Sequence, residues 1–179
     1  VTVLTALLLW LNIKLAFRLS AAYTTMVRYI TINNQRVPLP DIGRFVERWI
    51  FLIALLVGLF FGLSVWESWE VILQYNYQAA FGDTDPLFGR DISFYFFTLP
   101  FLEIVLQLLF LFVIVCLISA AAVYVLRGGI TFGNSMPMLR SGPRKHLLGL
   151  VAAFFLVLAG RTWLEVPNLV YSTNGTVTG

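Results

Sequence analysis

The 179 residues are 59% hydrophobic and 12% charged, against roughly 45–50% and about 25% in soluble domains, which leaves too few polar side chains to cover a globule and too many apolar ones for disorder. One cysteine, Cys116, and one histidine, His146, exclude a disulfide scaffold and leave no ligand set for zinc. The net charge of +3 is too small for a nucleic-acid partner, and where the charges fall points to a membrane.

The first apolar run, Val1 to Phe17, is interrupted by Asn12 and Lys14. It opens on Val inside an apolar stretch, with no basic leader before it, so the chain reads as a fragment of a longer protein. Beyond it, Leu15, Leu19, Ala22, Met26 and Tyr29 recur at steps of four and three. This spacing predicts a helical extension, either lying along the membrane surface or packed under the spans. Val37-Pro38-Leu39-Pro40 breaks the chain, and Asp41 is placed to cap the next helix.

The second run, Trp49 to Trp66, carries no charge and has tryptophan at both ends, as interfacial aromatic belts require. After it, Trp66, Trp69, Leu73, Tyr77 and Ala80 recur at helical spacing between polar residues and predict a surface helix. The third run, Ile104 to Leu126, is uncharged and would be about 35 Å long as a helix. The fourth is uncharged from Leu147 to Gly160 and must continue through Arg161 to Pro167 to cross a ~30 Å core. Leu169 to Thr173, Asn174-Gly175 and Thr176 to Thr178 read as strand, tight turn and strand, a β-hairpin in the tail. The expected fold is all-α: a polytopic transmembrane helical bundle over 1–167, with spans at about 1–19, 45–66, 99–126 and 147–167. Residues 168–179 would begin an extracytoplasmic segment.

Ten of the twelve basic residues fall in the two connections after the first and third spans, with their flanks. The connection between spans two and three holds Glu67, Glu70, Asp83, Asp85 and Asp91 against Arg90 alone. The positive-inside rule therefore predicts that loops 20–44 and 127–146 are cytoplasmic, with loop 67–98 and the C-terminal tail outside.

One stretch is distinctive: Asp85-Pro86-Leu87-Phe88-Gly89-Arg90-Asp91-Ile92-Ser93-Phe94-Tyr95-Phe96-Phe97-Thr98-Leu99-Pro100-Phe101. With Leu126-Arg127-Gly128-Gly129-Ile130 and Arg144-Lys145-His146-Leu147, it resembles a bacterial family of multispanning membrane proteins, uncharacterised protein family 0182. The resemblance implies an architecture: further spans on either side of these four, then a large extracytoplasmic domain. It also implies a bacterial plasma membrane, with the thylakoid as the alternative. The partners would then be the lipid bilayer, the protein's own other spans and outer domain, and subunits of a larger membrane complex.

Asp83 and Asp85, with Gly89 and Asp91 following, weakly match a calcium loop but lack its sixth-position glycine and twelfth-position glutamate. The expected role is structural: Asp85 caps a turn begun by Pro86, Gly89 ends it, and Arg90, between acids, ties the loop together. Cys116 reads as a small buried hydrophobe and His146 as an interfacial residue. Within the spans, Glu103 and Arg161 come to similar depths if span three starts near Leu99 and span four at Leu147. The two are expected to approach each other, because unpaired charge at that depth is costly. No catalytic constellation, cofactor site or metal site is expected, and the chain reads as a non-enzyme. Three functions compete. The favoured one is a membrane-anchoring scaffold for an extracytoplasmic domain. A transporter or channel component is the second, and it would need more intramembrane polar groups than Lys14, Glu103, Gln107 and Arg161. A membrane enzyme acting on lipid or cell-wall precursors is the third.

Overall fold

The computed structural model describes residues 1–21, 29–32, 35–38, 42–132 and 137–171. The helices are α1 (Thr2–Ser20), α2 (Ile42–Trp66), α3 (Trp69–Asn76), α4 (Leu99–Leu126) and α5 (Ser141–Asn168). Two short hairpins sit between them, β1 (Tyr29–Ile32) with β2 (Gln35–Pro38) and β3 (Ile130–Phe132) with β4 (Pro137–Leu139). Both are antiparallel; Ile32 lies opposite Gln35 in the first and Phe132 opposite Pro137 in the second.

Four helical stretches are long and apolar enough to cross a membrane: Thr2–Ser20, Arg48–Trp66, Phe94–Leu126 and Ser141–Asn168. Their exposed side chains are largely Leu, Ile, Phe and Val, which suits contact with lipid and not with water. This is a multipass membrane protein fold. Two span limits differ from the sequence expectation. A π-helical turn, Phe94–Thr98, runs directly into α4 and starts the third span five residues early. A proline within a helix lacks a donor and crowds the carbonyl four residues back. At Pro100 that carbonyl belongs to Phe96, inside the wider π turn. The fourth span starts at Ser141, because Arg144, Lys145 and His146 break the apolar run without breaking the helix.

Three local expectations also change. The helical spacing read as far as Tyr29 stops at Ser20; residues 22–28 lie outside the described residues, and Tyr29 opens a strand. The surface helix read from Trp66 to Ala80 is present as α3 but ends at Asn76. In the tail, Leu169–Tyr171 form a 3₁₀ turn where a strand was expected, and the rest of the proposed hairpin lies outside the described residues.

The chain divides into two compact units, Val1–Phe61 with Ile114–Ala152, and Gly62–Val113 with Ala153–Gly179. In the first unit, α1 and α2 touch backbone to backbone. A Cβ at Gly58 would lie 2.6 Å from the Thr2 carbonyl oxygen and 2.7 Å from the Ala6 Cβ. Ala54, one turn earlier on α2, is buried. Small residues at four-residue spacing let helices approach where no hydrophobic effect drives them together. A polar bridge holds α1 to α4: the Asn12 amide donates to the Cys116 carbonyl and to the Ser119 hydroxyl, both at 3.1 Å. Ser119 in turn donates to the Cys116 carbonyl at 3.0 Å.

The far end of α4 closes with Gly128 at φ +75°. The Gly129 N–H returns to the Tyr124 carbonyl and the Gly128 N–H to the Val125 carbonyl, so two of the orphan carbonyls at this helix end are satisfied. Tyr124 is fully buried, and its hydroxyl shares a 2.7 Å hydrogen bond with His146 Nδ1 on α5. Gly129 is tightly enclosed: a Cβ there would meet the Pro143 side chain at 3.0 Å and the Tyr124 ring at 3.2 Å.

Gly58→Ala should destabilise the protein by about 1–3 kcal/mol, because the added methyl must displace backbone. Gly149→Ala, on an open face of α5, should be neutral or stabilising by a few tenths of a kcal/mol. Unfolding of the two variants in detergent, compared with the parent, checks both.

Candidate functional site

The second unit carries both sets of residues singled out in the sequence. The loop from Phe81 to Ser93 is organised by two carboxylates. Asp85 is 7% exposed and accepts from the N–H groups of Leu87 (3.1 Å) and Phe88 (2.7 Å) and from the Tyr95 hydroxyl (2.9 Å). The Gly89 N–H donates to the Asp85 carbonyl, and Gly89 sits at φ +64°, ending the turn that Pro86 begins. Asp91 accepts from the N–H groups of Phe81 (3.2 Å), Gly82 (3.0 Å) and Ser93 (2.8 Å). Asp83 acts through its backbone, its carbonyl accepting from Ile92. Arg90 ties the loop through backbone and side chain, its carbonyl accepting from the Asp85 N–H at 2.8 Å. Its guanidinium lies 4.3 Å from the centre of the Phe94 ring and 5.6 Å from that of Trp163 on α5, a cation–π arrangement.

These contacts set the acidities. Desolvation pushes the Asp85 pKa up, but the Phe88 and Leu87 N–H groups and the Tyr95 hydroxyl outweigh it and hold it below the ordinary value. Ser93, through its hydroxyl and its N–H, holds Asp91 down at about 2 against desolvation, helped by the Gly82 and Phe81 N–H groups. Carboxylate oxygens engaged in this way face donors and do not converge. Among the described residues, no three His, Cys, Asp or Glu side chains gather as a metal site would need.

Tyr95 continues inward to a small core with Leu99 and Leu164, flanked by Phe94, Leu102, Leu106 and Val170. The loop is therefore docked on the ends of α4 and α5. On its other flank, α3 and the residues after it meet the π turn and the start of α4: Tyr75 stacks on Phe101 with ring centres 4.0 Å apart, and Thr98 donates to Gln78 at 2.9 Å.

Deeper in the same unit, α4 and α5 form a polar cleft of about 180 Å³ lined by Glu103, Gln107, Arg161, Glu165 and Asn168 with Leu106 and Leu164. The cleft includes both charges expected to meet, but each has another partner. The Asn168 amide donates to the Glu103 carboxylate. The Arg161 guanidinium lies 4.7 Å from the centre of the Phe110 ring. The seven residues from Arg161 to Asn168 are about two turns, and the longer helices explain the offset. With α5 starting at Ser141 and the third span at Phe94, the depths inferred from Leu147 and Leu99 do not apply. The sequence did carry a usable signal. Glu103, Gln107 and Phe110 share one face of α4 at steps of four and three, as do Arg161, Glu165 and Asn168 on α5. Asn12 and Trp163 were missed, the first because a single amide in an apolar run reads only as an interruption.

Over residues 1–179 the sequence matches the uncharacterised protein family UPF0182. The chain belongs to that family. It is 39% identical over 127 residues to a UPF0182 protein of Cupriavidus necator, covering 71% of this chain and 14% of the relative. It is 37% identical over 131 residues to one of Synechococcus sp., covering 73% and 15%. A third, from Thermobifida fusca, is 32% identical over 174 residues, covering 96% and 17%. The chain thus spans less than a fifth of the length of these bacterial relatives. No solved structure matches it.

Both loop carboxylates have lowered pKa values, so their contribution to the folded loop is complete above the unfolded value near 3.8; Asp91 loses it as pH falls toward 2, and Asp85 loses it at a pH below its ordinary value. Amide-exchange protection at Gly82 and Phe88 should therefore hold at pH 5; it should collapse at Gly82 near pH 2, and at Phe88 below the ordinary carboxylate range. Asp91→Ala should remove protection at Phe81 and Gly82 at neutral pH while sparing Leu87 and Phe88.

Proposed function

We propose that this part of the protein is a non-catalytic membrane scaffold, anchoring an extracytoplasmic domain and packing against other spans of the same longer chain, within a larger membrane assembly. One observation carries the reading. Glu103, Gln107, Arg161 and Glu165 form an exposed polar seam on α4 and α5, whose remaining exposed surface is mostly apolar. Lipid cannot solvate such a seam, and ionisable groups at this position face protein or a water-filled cavity. The chain spans 14–17% of its relatives' lengths, so ample further protein exists to cover it. The Phe81–Ser93 loop, tied to α4 and α5 through Tyr95 and Arg90, suits a fixed platform for the outer domain. The excess of basic residues in the connections holding the two hairpins sets that loop outside the cell and the hairpins in the cytoplasm.

The same seam supports a second reading, in which it lines a path for a polar solute as part of a transporter. Two measurements on the full-length protein separate the readings and test the orientation. Reconstituted in liposomes, the protein should leave ion and solute permeability unchanged, while Arg161→Gln lowers its thermal stability; solute flux abolished by Glu103→Gln would establish the second reading. In intact cells, an impermeant thiol reagent should label Leu87→Cys and spare Ser141→Cys; the reverse pattern would overturn the orientation.

A further inference from the structure

In the first unit, a pocket of about 550 Å³ opens where the C-terminal part of α1 meets the end of α4. Three cations line it: Lys14 and Arg18 from α1, and Arg127 from the C-terminus of α4. Among the described residues no carboxylate does. The remaining lining includes Leu11, Leu15 and Phe17.

Leu11, Lys14, Leu15 and Arg18 are spaced at three, one and three residues and are all exposed, so they form one continuous stripe on α1. Leu11 lies deepest, Lys14 lies between the two leucines with its ammonium 5.5 Å from the centre of the Trp10 ring, and Arg18 stands at the end of the span. The stripe offers leucine surface that an acyl chain can cover, with one cation along it and another at its boundary end, where a phosphate would sit.

Arg127 is held in place by the protein and left with bonding capacity to spare. Its guanidinium lies 4.7 Å from the centre of the Phe17 ring, and one terminal N–H donates to the Phe17 carbonyl at 3.4 Å. Arg127 also lines the pocket, and a phosphate oxygen is an acceptor whose geometry and charge match a guanidinium. Basic pockets between spans at the membrane boundary are suited to anionic head groups.

We infer that the Lys14–Arg18–Arg127 pocket binds the phosphate of an anionic phospholipid, with one acyl chain lying along Leu11 and Leu15. The apolar stripe distinguishes this ligand from free phosphate, and the three positive charges distinguish it from a zwitterionic lipid.

The test uses the full-length protein purified in a neutral detergent, with binding followed by thermal shift and by native mass spectrometry. Phosphatidylglycerol should raise the unfolding temperature and remain bound, whereas phosphatidylcholine and inorganic phosphate at the same concentration should do neither. Removing the two exposed cations in the Lys14→Gln/Arg18→Gln variant should weaken phosphatidylglycerol binding by about fivefold per charge. This variant leaves the packed Arg127 in place, so folding is not at risk from loss of the Phe17 contact. Arg144→Gln/Lys145→Gln removes the same charge from exposed positions on α5 outside the pocket and should leave affinity unchanged. Equal losses in the two double variants, equal binding of phosphatidylcholine, or equal stabilisation by inorganic phosphate would each overturn the assignment.

Discussion

Hydrocarbon offers no hydrogen bonds, so every polar atom carried into a span must find its partner in the protein. That constraint organises much of what the sequence leaves unexplained. Asn12 satisfies it by reaching from α1 to a carbonyl and a hydroxyl of α4. Ser20 turns its hydroxyl back to the Ala16 and Phe17 carbonyls of its own helix, and Thr162 does the same to Leu158. Glu103 takes the Asn168 amide, and Arg161 takes the face of Phe110. Each solution is local and joins at most two helices. The polar groups therefore act as pins that fix which helices touch and in what register.

Between the pins, packing is governed by size. In lipid, apolar side chains gain little by moving from tails to a neighbouring helix, so close contact depends on shape. Gly58 against Thr2 and Ala6 is a place where a larger residue would hold the helices apart, and Gly160 packs closely on the Leu106 side chain at 3.3 Å. At the boundary, where water returns, the chemistry changes. The Asp85 and Asp91 carboxylates gather backbone N–H groups into a compact loop, and Arg90 is held between Phe94 and Trp163.

The spans were legible because a run of about 20 apolar residues has few other uses, and the family was legible from the Asp85 to Phe101 motif. The loop roles of Asp85, Pro86 and Gly89 were also readable, since proline after a capping acid and glycine at a left-handed position are local rules. Span ends were not. Hydropathy follows side chains and helices follow backbone, so Arg144 and Lys145 hid six residues of α5 while the π turn hid the start of the third span. Glu103 and Arg161 line one cleft, but the partners they take there, Asn168 and Phe110, depend on a helix register that hydropathy does not give. Arg90 shows a different limit: its place in the sequence marks it as a tie for the loop but not the partners it uses, the Asp85 N–H at its carbonyl and the Phe94 and Trp163 rings at its guanidinium. The small hairpins were missed because β1 begins within a pattern that is helical by spacing.

The claim that interhelical polar pins define the bundle is tested most directly by a double-mutant cycle on Asn12→Leu and Ser119→Ala, read as unfolding free energy of the full-length protein in detergent. The geometry of the Asn12 amide, at 3.1 Å from the Ser119 hydroxyl, predicts a coupling of about 1 kcal/mol between the two substitutions. Strict additivity, with the double variant losing no less than the sum of the single ones, would contradict the account.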